Sequence, residues 1–174
     1  MRMTTLLVGL AAAGIALGGA QASDLYPAMQ PAPAYNPAAF NFNGFYLGAQ
    51  GGGVLGSYQG GEIGVVAGAN FDVASPIIAG LEFQGDWLPG SSSSTTYDFF
   101  ILGRGGVLVS DSLMAYAEIG PGWIGGAQSY AFGGGGEYAL TDVLSVKGEV
   151  LGVGAWGASP SSAKIQAGLL FHLQ

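Results

Sequence analysis

Residues 62–72 read EIGVVAGANFD, and their two parities belong to different environments. The even positions include Glu62, Asn70 and Asp72, while the odd positions are Ile63, Val65, Ala67, Ala69 and Phe71. Successive strand side chains point to opposite faces, so this strand has one charged surface and one wholly apolar surface. The split recurs as far as His172, in segments placed at 44–54, 61–72, 77–88, 97–109, 113–124, 130–140, 143–155 and 163–173. A soluble barrel buries its apolar face and solvates a face much richer in charge. A barrel in a bilayer turns the uncharged face to lipid and gathers polar groups in a narrow lumen. The pattern therefore predicts an all-β fold, an eight-stranded antiparallel up-and-down transmembrane β-barrel. Segments of about 10 or 11 residues, tilted, are long enough to cross a bilayer.

Composition agrees with this reading. Charged residues make up 9% of the 174, where soluble domains carry about 25%. Mean hydropathy is +0.43, yet no long apolar run follows the first two dozen residues. The 33 glycines have no collagen period and lie among β-branched and aromatic residues, which excludes a disordered low-complexity chain. There are no cysteines, so neither disulfides nor thiol chemistry is available. An isoelectric point near 4.2 argues against nucleic acid as a partner, because phosphate binding needs clustered Lys and Arg.

Three regions follow. Residues 1–22 have a basic start at Arg2, an apolar stretch from Leu6 to Leu17 and a small-x-small site at Ala20-Gln21-Ala22. This is the pattern of a cleaved secretory signal peptide. As a membrane helix the stretch falls short of the roughly 20 residues needed, and Gly9, Gly14, Gly18 and Gly19 interrupt it. Residues 23–42 carry Pro27, Pro31, Pro33 and Pro37 among small residues without periodicity, which predicts an extended, unpacked periplasmic tether. Residues 43–174 form the barrel.

Taking the uncharged parity as outward gives Phe45, Leu47, Ile63, Val65, Leu81, Phe83, Ile101, Val107, Ile119, Val146, Val150, Ile165 and Leu169 among others. The opposite face collects Glu62, Glu82, Asp86, Arg104, Glu118, Glu137, Lys147, Glu149 and Lys164, together with Asp72 and Asp98. Buried charges persist when paired and hydrogen-bonded, so a lumenal salt-bridge network centred on Arg104 is expected. Aromatic residues concentrate where a barrel wall meets the lipid interfaces. With the first strand rising from the periplasm, Phe45, Phe71, Tyr138 and Phe171 form a lower girdle and Trp87, Phe99, Trp123, Phe132 and Trp156 an upper one. The short turns near 74–76, 110–112 and 141–142 are expected on the periplasmic side, and the Gly- and Ser-rich connections near 55–60, 89–96, 125–129 and 157–162 outside.

The run Tyr130–Gly152, YAFGGGGEYALTDVLSVKGEVLG, resembles the penultimate hairpin of the opacity-type and OmpA-like small outer-membrane barrels of Gram-negative bacteria. Asn43-Gly44-Phe45-Tyr46-Leu47-Gly48 is similar to the first strand of that family, and the Arg104 strand to its fourth. The resemblance implies outer-membrane residence, outer-membrane lipid as surroundings, and handling by periplasmic chaperones and the barrel-assembly machinery. Gln166, Gly168, Phe171 and Leu173 match the final-strand pattern that this machinery reads in the family. Members usually stop on an aromatic residue, whereas Gln174 follows Leu173 here.

The inward carboxylates have no spacing that fixes a nucleophile, a base and a substrate pocket, and barrels of this size are filled by their own side chains. The single histidine, His172, points inward, with Ser145 on the neighbouring segment. Lipid-modifying barrels pair a His with a Ser, but no motif surrounds these two, and a hydrogen-bonded lumenal histidine is the plainer reading. The Gly51–Gly53 and Gly133–Gly136 clusters lack the helix and Lys of a phosphate loop. No catalytic residue, metal or cofactor is expected. The function expected is a structural role in envelope integrity. The alternatives are a narrow porin, for which inward Gly64, Gly68, Gly80, Gly106, Gly120 and Gly168 leave room, a lipid-modifying enzyme, and a soluble lipocalin-like binder.

Overall fold

The computed structural model describes residues 40–57, 59–89 and 96–173. The expected signal peptide, all but the last residues of the tether, and Gln174 lie outside these. Eight strands follow in order: β1 Gly44–Gly56, β2 Gly60–Ala74, β3 Ile77–Leu88, β4 Thr96–Ser110, β5 Leu113–Ile124, β6 Ala127–Ala139, β7 Leu144–Ala155 and β8 Ser162–Leu173. Each pairs antiparallel with its neighbours in sequence, and β1 also pairs with β8, which closes the barrel. Closure leaves no free sheet edge, the condition for a β-structure to sit in hydrocarbon.

Side chains sort as the parity requires. Val65 and Ile101 are 61% and 46% exposed, whereas Arg104 and Glu137 are 5% and 0% exposed. Every strand places large apolar side chains on the outer wall, among them Phe45, Val65, Leu81, Ile101, Ile119, Phe132, Val150 and Ile165. The interior carries charge instead. It also holds three small apolar clusters, around Phe100 and Leu151, around Tyr46 and Leu170, and around Phe42 and Met114.

One connection differs from expectation, and two ladders are irregular. The β5–β6 connection, expected as a loop over 125–129, is a tight turn: β6 begins at Ala127, and Gly125 and Gly126 have φ of 56° and 88°. Two successive positive φ angles match the right-handed twist of a hairpin, and glycine adopts them without steric cost. Pairing of β4 with β5 lapses between Phe100↔Gly122 and Gly103↔Ile119, beside Pro121. Proline has no N–H to donate to a ladder. Asp72 keeps the inward parity, opposite Ile78, but lies exposed at the rim where the β2–β3 register shifts.

The end of the Pro-rich stretch also departs from an unpacked tether. Phe40 and Phe42 are buried against Ile78, Met114, Tyr116 and Ala139 at the end of the barrel that carries the short turns. Their backbone is held as well: the Phe40 N–H donates to the Asp111 carbonyl at 2.9 Å, and the Asn70 amide donates to the Phe42 carbonyl at 3.0 Å. Apolar area beneath the lumen is thus covered by the chain that leads into β1. Phe42→Ala is expected to cost about 2 kcal/mol, below the roughly 3–5 of a fully enclosed phenylalanine because the barrel end has room to collapse. The urea midpoint of the protein refolded in detergent measures this.

Candidate functional site

Among the described residues polar chemistry concentrates in the interior, and its interactions fall into two groups rather than one network around Arg104. Lys164 on β8 is the centre of the first. Its Nζ lies 2.9 Å from Asp86 Oδ2, 2.9 Å from Asp98 Oδ2 and 3.2 Å from Glu62 Oε2. Asp86 also accepts from the amides of Gln50, at 3.0 Å to each oxygen, and Gln166, at 3.1 Å. One ammonium thus meets carboxylates from β2, β3 and β4, and all four groups are buried.

The second group lies towards the short-turn end and has two cations. Arg104 on β4 donates to Glu137 at 3.0 Å and to the Tyr46 hydroxyl at 3.0 Å, lies 3.4 Å from Glu82, and stacks with its guanidinium carbon 3.5 Å from the centre of the Tyr116 ring. Planarity lets a guanidinium form such bonds in its plane while its face meets an aromatic ring. Lys147 on β7 donates to Glu82 at 2.6 Å and to both oxygens of Glu149 at 3.0 Å. Tyr116 and Gln84 complete the shell of Glu149, each donating at 2.8 Å. Glu118, on β5, is buried among these residues, and neither of its oxygens has a hydrogen-bond partner.

All nine expected charges are therefore inside, and eight of them make ion pairs. Parity alone does not single out their uncharged partners Tyr46, Gln50, Gln84 and Tyr116, although these share it. Gln166, expected as part of the assembly signal, points inward to Asp86; Gly168 is buried, whereas Phe171 and Leu173 face outward. The nine girdle aromatics are all exposed on the outer wall. Phe132 lies deeper than a rim position, in the middle of β6 and stacked on Tyr130.

His172 and Ser145 do meet. Ser145 Oγ lies 3.1 Å from His172 Nε2 and donates to Glu137 Oε1 at 2.7 Å, while the same Nε2 lies 2.8 Å from that carboxylate oxygen. In a nucleophilic triad the base takes the hydroxyl proton on one ring nitrogen and is oriented through the other. Here both contacts fall on Nε2, Nδ1 has no hydrogen-bond partner, and Phe40 packs edge-on against the ring at 4.8 Å.

Inward glycines accommodate their neighbours. A Cβ on Gly64 would run into the Asp86 carboxylate, one on Gly68 into the Tyr46 hydroxyl, one on Gly80 into Asn70 and one on Gly122 into the Phe100 ring. These absent side chains are what allow long groups to reach across the lumen.

Solved outer-membrane barrels share this closed fold. Ail, the attachment invasion locus protein of Yersinia pestis, matches with a TM-score of 0.52 at 11% identity, over 74% of this chain and 99% of that one. Ail in complex with the heparin analogue sucrose octasulfate matches with 0.53 at 11% identity, over 73% and 96%. The fold is that of the small outer-membrane barrels. Neisserial surface protein A gives a TM-score of 0.49 at 14% identity, over 75% and 98%. No protein-family model matches the chain, and no curated protein matches it.

Proposed function

We propose that this protein is an integral barrel of the outer membrane with a structural role in envelope integrity, its lumen filled by its own side chains. The observation that carries the reading is the inverted distribution of polarity, in which exposed Val65, Ile101 and Ile119 surround buried Arg104, Lys147 and Lys164. Export through the signal peptide, a periplasmic location for the short turns and both ends of the barrel domain, and delivery by chaperones and the assembly machinery belong to the same proposal. A non-enzymatic role is supported by the Ser145–His172 geometry, since the hydroxyl is committed to Glu137.

A filled lumen is supported over a narrow porin by the way Asp86, Tyr46 and Phe100 occupy the space beside Gly64, Gly68 and Gly122. The folded protein is expected to run as a compact, heat-modifiable species on a gel and to give no discrete conductance steps in planar bilayers. Loss of the mobility shift would overturn the barrel reading. Regular conductance steps would replace the structural role with the porin. Altered lipid turnover after His172→Ala would favour an enzyme.

A further inference from the structure

The geometry points to a binding site for one divalent cation, of the hard, oxygen-ligated class to which Ca2+ belongs, between Glu82, Glu118 and Glu149. Carboxylate oxygens from these three residues lie within 4.8 Å of one another. Two oxygens that share a calcium at roughly 2.3–2.6 Å stand no more than about 5 Å apart, so one ion spans the set.

Glu118 supplies the independent reason for a ligand. It is 3% exposed, and both of its oxygens lack a hydrogen-bond partner. Its neighbour across β4 is Arg104, but that guanidinium is turned to Glu137, Glu82 and Tyr46 and lies over Tyr116. Its neighbour across β6 is Gly133, which has no side chain to offer. Lys147 donates to Glu82 and to both oxygens of Glu149 but not to Glu118. A buried carboxylate left without a partner costs several kcal/mol, and a cation placed against it removes that cost.

An excess of acids over cations calls for a positive ligand. In this half of the lumen Glu82, Glu118, Glu137 and Glu149 face Arg104 and Lys147, with His172 at Glu137, so the acids outnumber the permanent cations by two. The Lys164 group makes an instructive contrast. Glu62, Asp86 and Asp98 meet the same 4.8 Å spacing and also outnumber their cation by two, but there the Lys164 ammonium contacts all three, whereas no cation contacts Glu118. Oxygen-only ligation selects hard ions over zinc or copper, and calcium surrenders its hydration to protein oxygens more readily than magnesium does. An ion here ties together β3, β5 and β7, none of which pairs directly with another.

The test uses the chain stripped with chelator in urea and refolded into detergent micelles with and without Ca2+. Tb3+ serves as an optical probe, excited through Tyr116, whose hydroxyl donates to Glu149. The expected result is one bound Ca2+ per chain, Tb3+ emission that Ca2+ displaces, and a urea midpoint raised by Ca2+. Glu118→Gln should weaken Ca2+ binding at least tenfold and remove the shift in midpoint, whereas Asp72→Asn, at an exposed rim acid, should keep both. Should Glu118→Gln fail to refold, Glu118→Asp retains the charge at shorter reach and is expected to bind more weakly than the parent. Equal midpoints with and without Ca2+ and no bound ion in the parent would overturn the proposal and leave a proton as the partner of Glu118. Parent-like binding in Glu118→Gln would overturn it as well.

Discussion

Replacing Lys164 with methionine is expected to lower the folding stability of the barrel by about 4 kcal/mol or more, the upper part of the range for breaking a buried ion pair from one side. The side chain is fully buried, and methionine fills similar volume, so packing loss is a minor part of the effect. What remains is electrostatic. Glu62, Asp86 and Asp98 would be left within 4.8 Å of one another, with only the Gln50 and Gln166 amides donating to Asp86. Like charges at that distance, away from water, repel strongly. Urea unfolding in detergent, followed by tryptophan fluorescence, gives the loss. Adding Asp86→Asn and Asp98→Asn to Lys164→Met removes two of the three charges and is expected to restore more than half of the stability. A single Lys164→Met variant within about 1 kcal/mol of the parent is incompatible with the buried ion-pair account.

The wall of this barrel was legible because lipid and lumen make opposite demands on alternate residues. Ile63 and Glu62 are neighbours in sequence and opposites in environment, and the same contrast repeats at Phe83 and Glu82 and at Val146 and Lys147. Glycine carries no such mark. Gly125 and Gly126 opened a stretch that read as a loop, and only their backbone angles disclose a two-residue turn with strand resuming at Ala127. Phe40 and Phe42 were hidden for another reason. Their burial depends on the end of a closed barrel assembled from strands far along the chain, so nothing beside them in the sequence announces it.

The contents of the lumen were legible, but their partnerships were not. Parity places Lys164 and Asp98 inside, yet they lie 66 residues apart, and the stagger of the strands decides that they meet. The same holds for Glu118. Sequence marks it as one more inward acid, while its isolation follows from the guanidinium of Arg104 turning towards Glu137.

Arg104→Met is expected to cost about 3 kcal/mol, less than Lys164→Met, because each acid it abandons keeps another partner. Glu82 retains Lys147 at 2.6 Å, and Glu137 retains the Ser145 hydroxyl at 2.7 Å and His172 at 2.8 Å. Part of the loss is not ionic at all, since the guanidinium also lies over Tyr116 and such a stack, desolvated, contributes on the order of 1–2 kcal/mol. A double-mutant cycle separates the two. Glu137→Gln in the Arg104→Met background leaves no uncompensated charge at that position, so the pair is expected to lose about 1–2 kcal/mol less than the sum of the single variants. The residual penalty of the double variant then reports the lost stacking and the bond to Tyr46. Strict additivity would mean that Arg104 stabilises the barrel through Tyr116 and Tyr46, with Glu137 held by Ser145 and His172 alone.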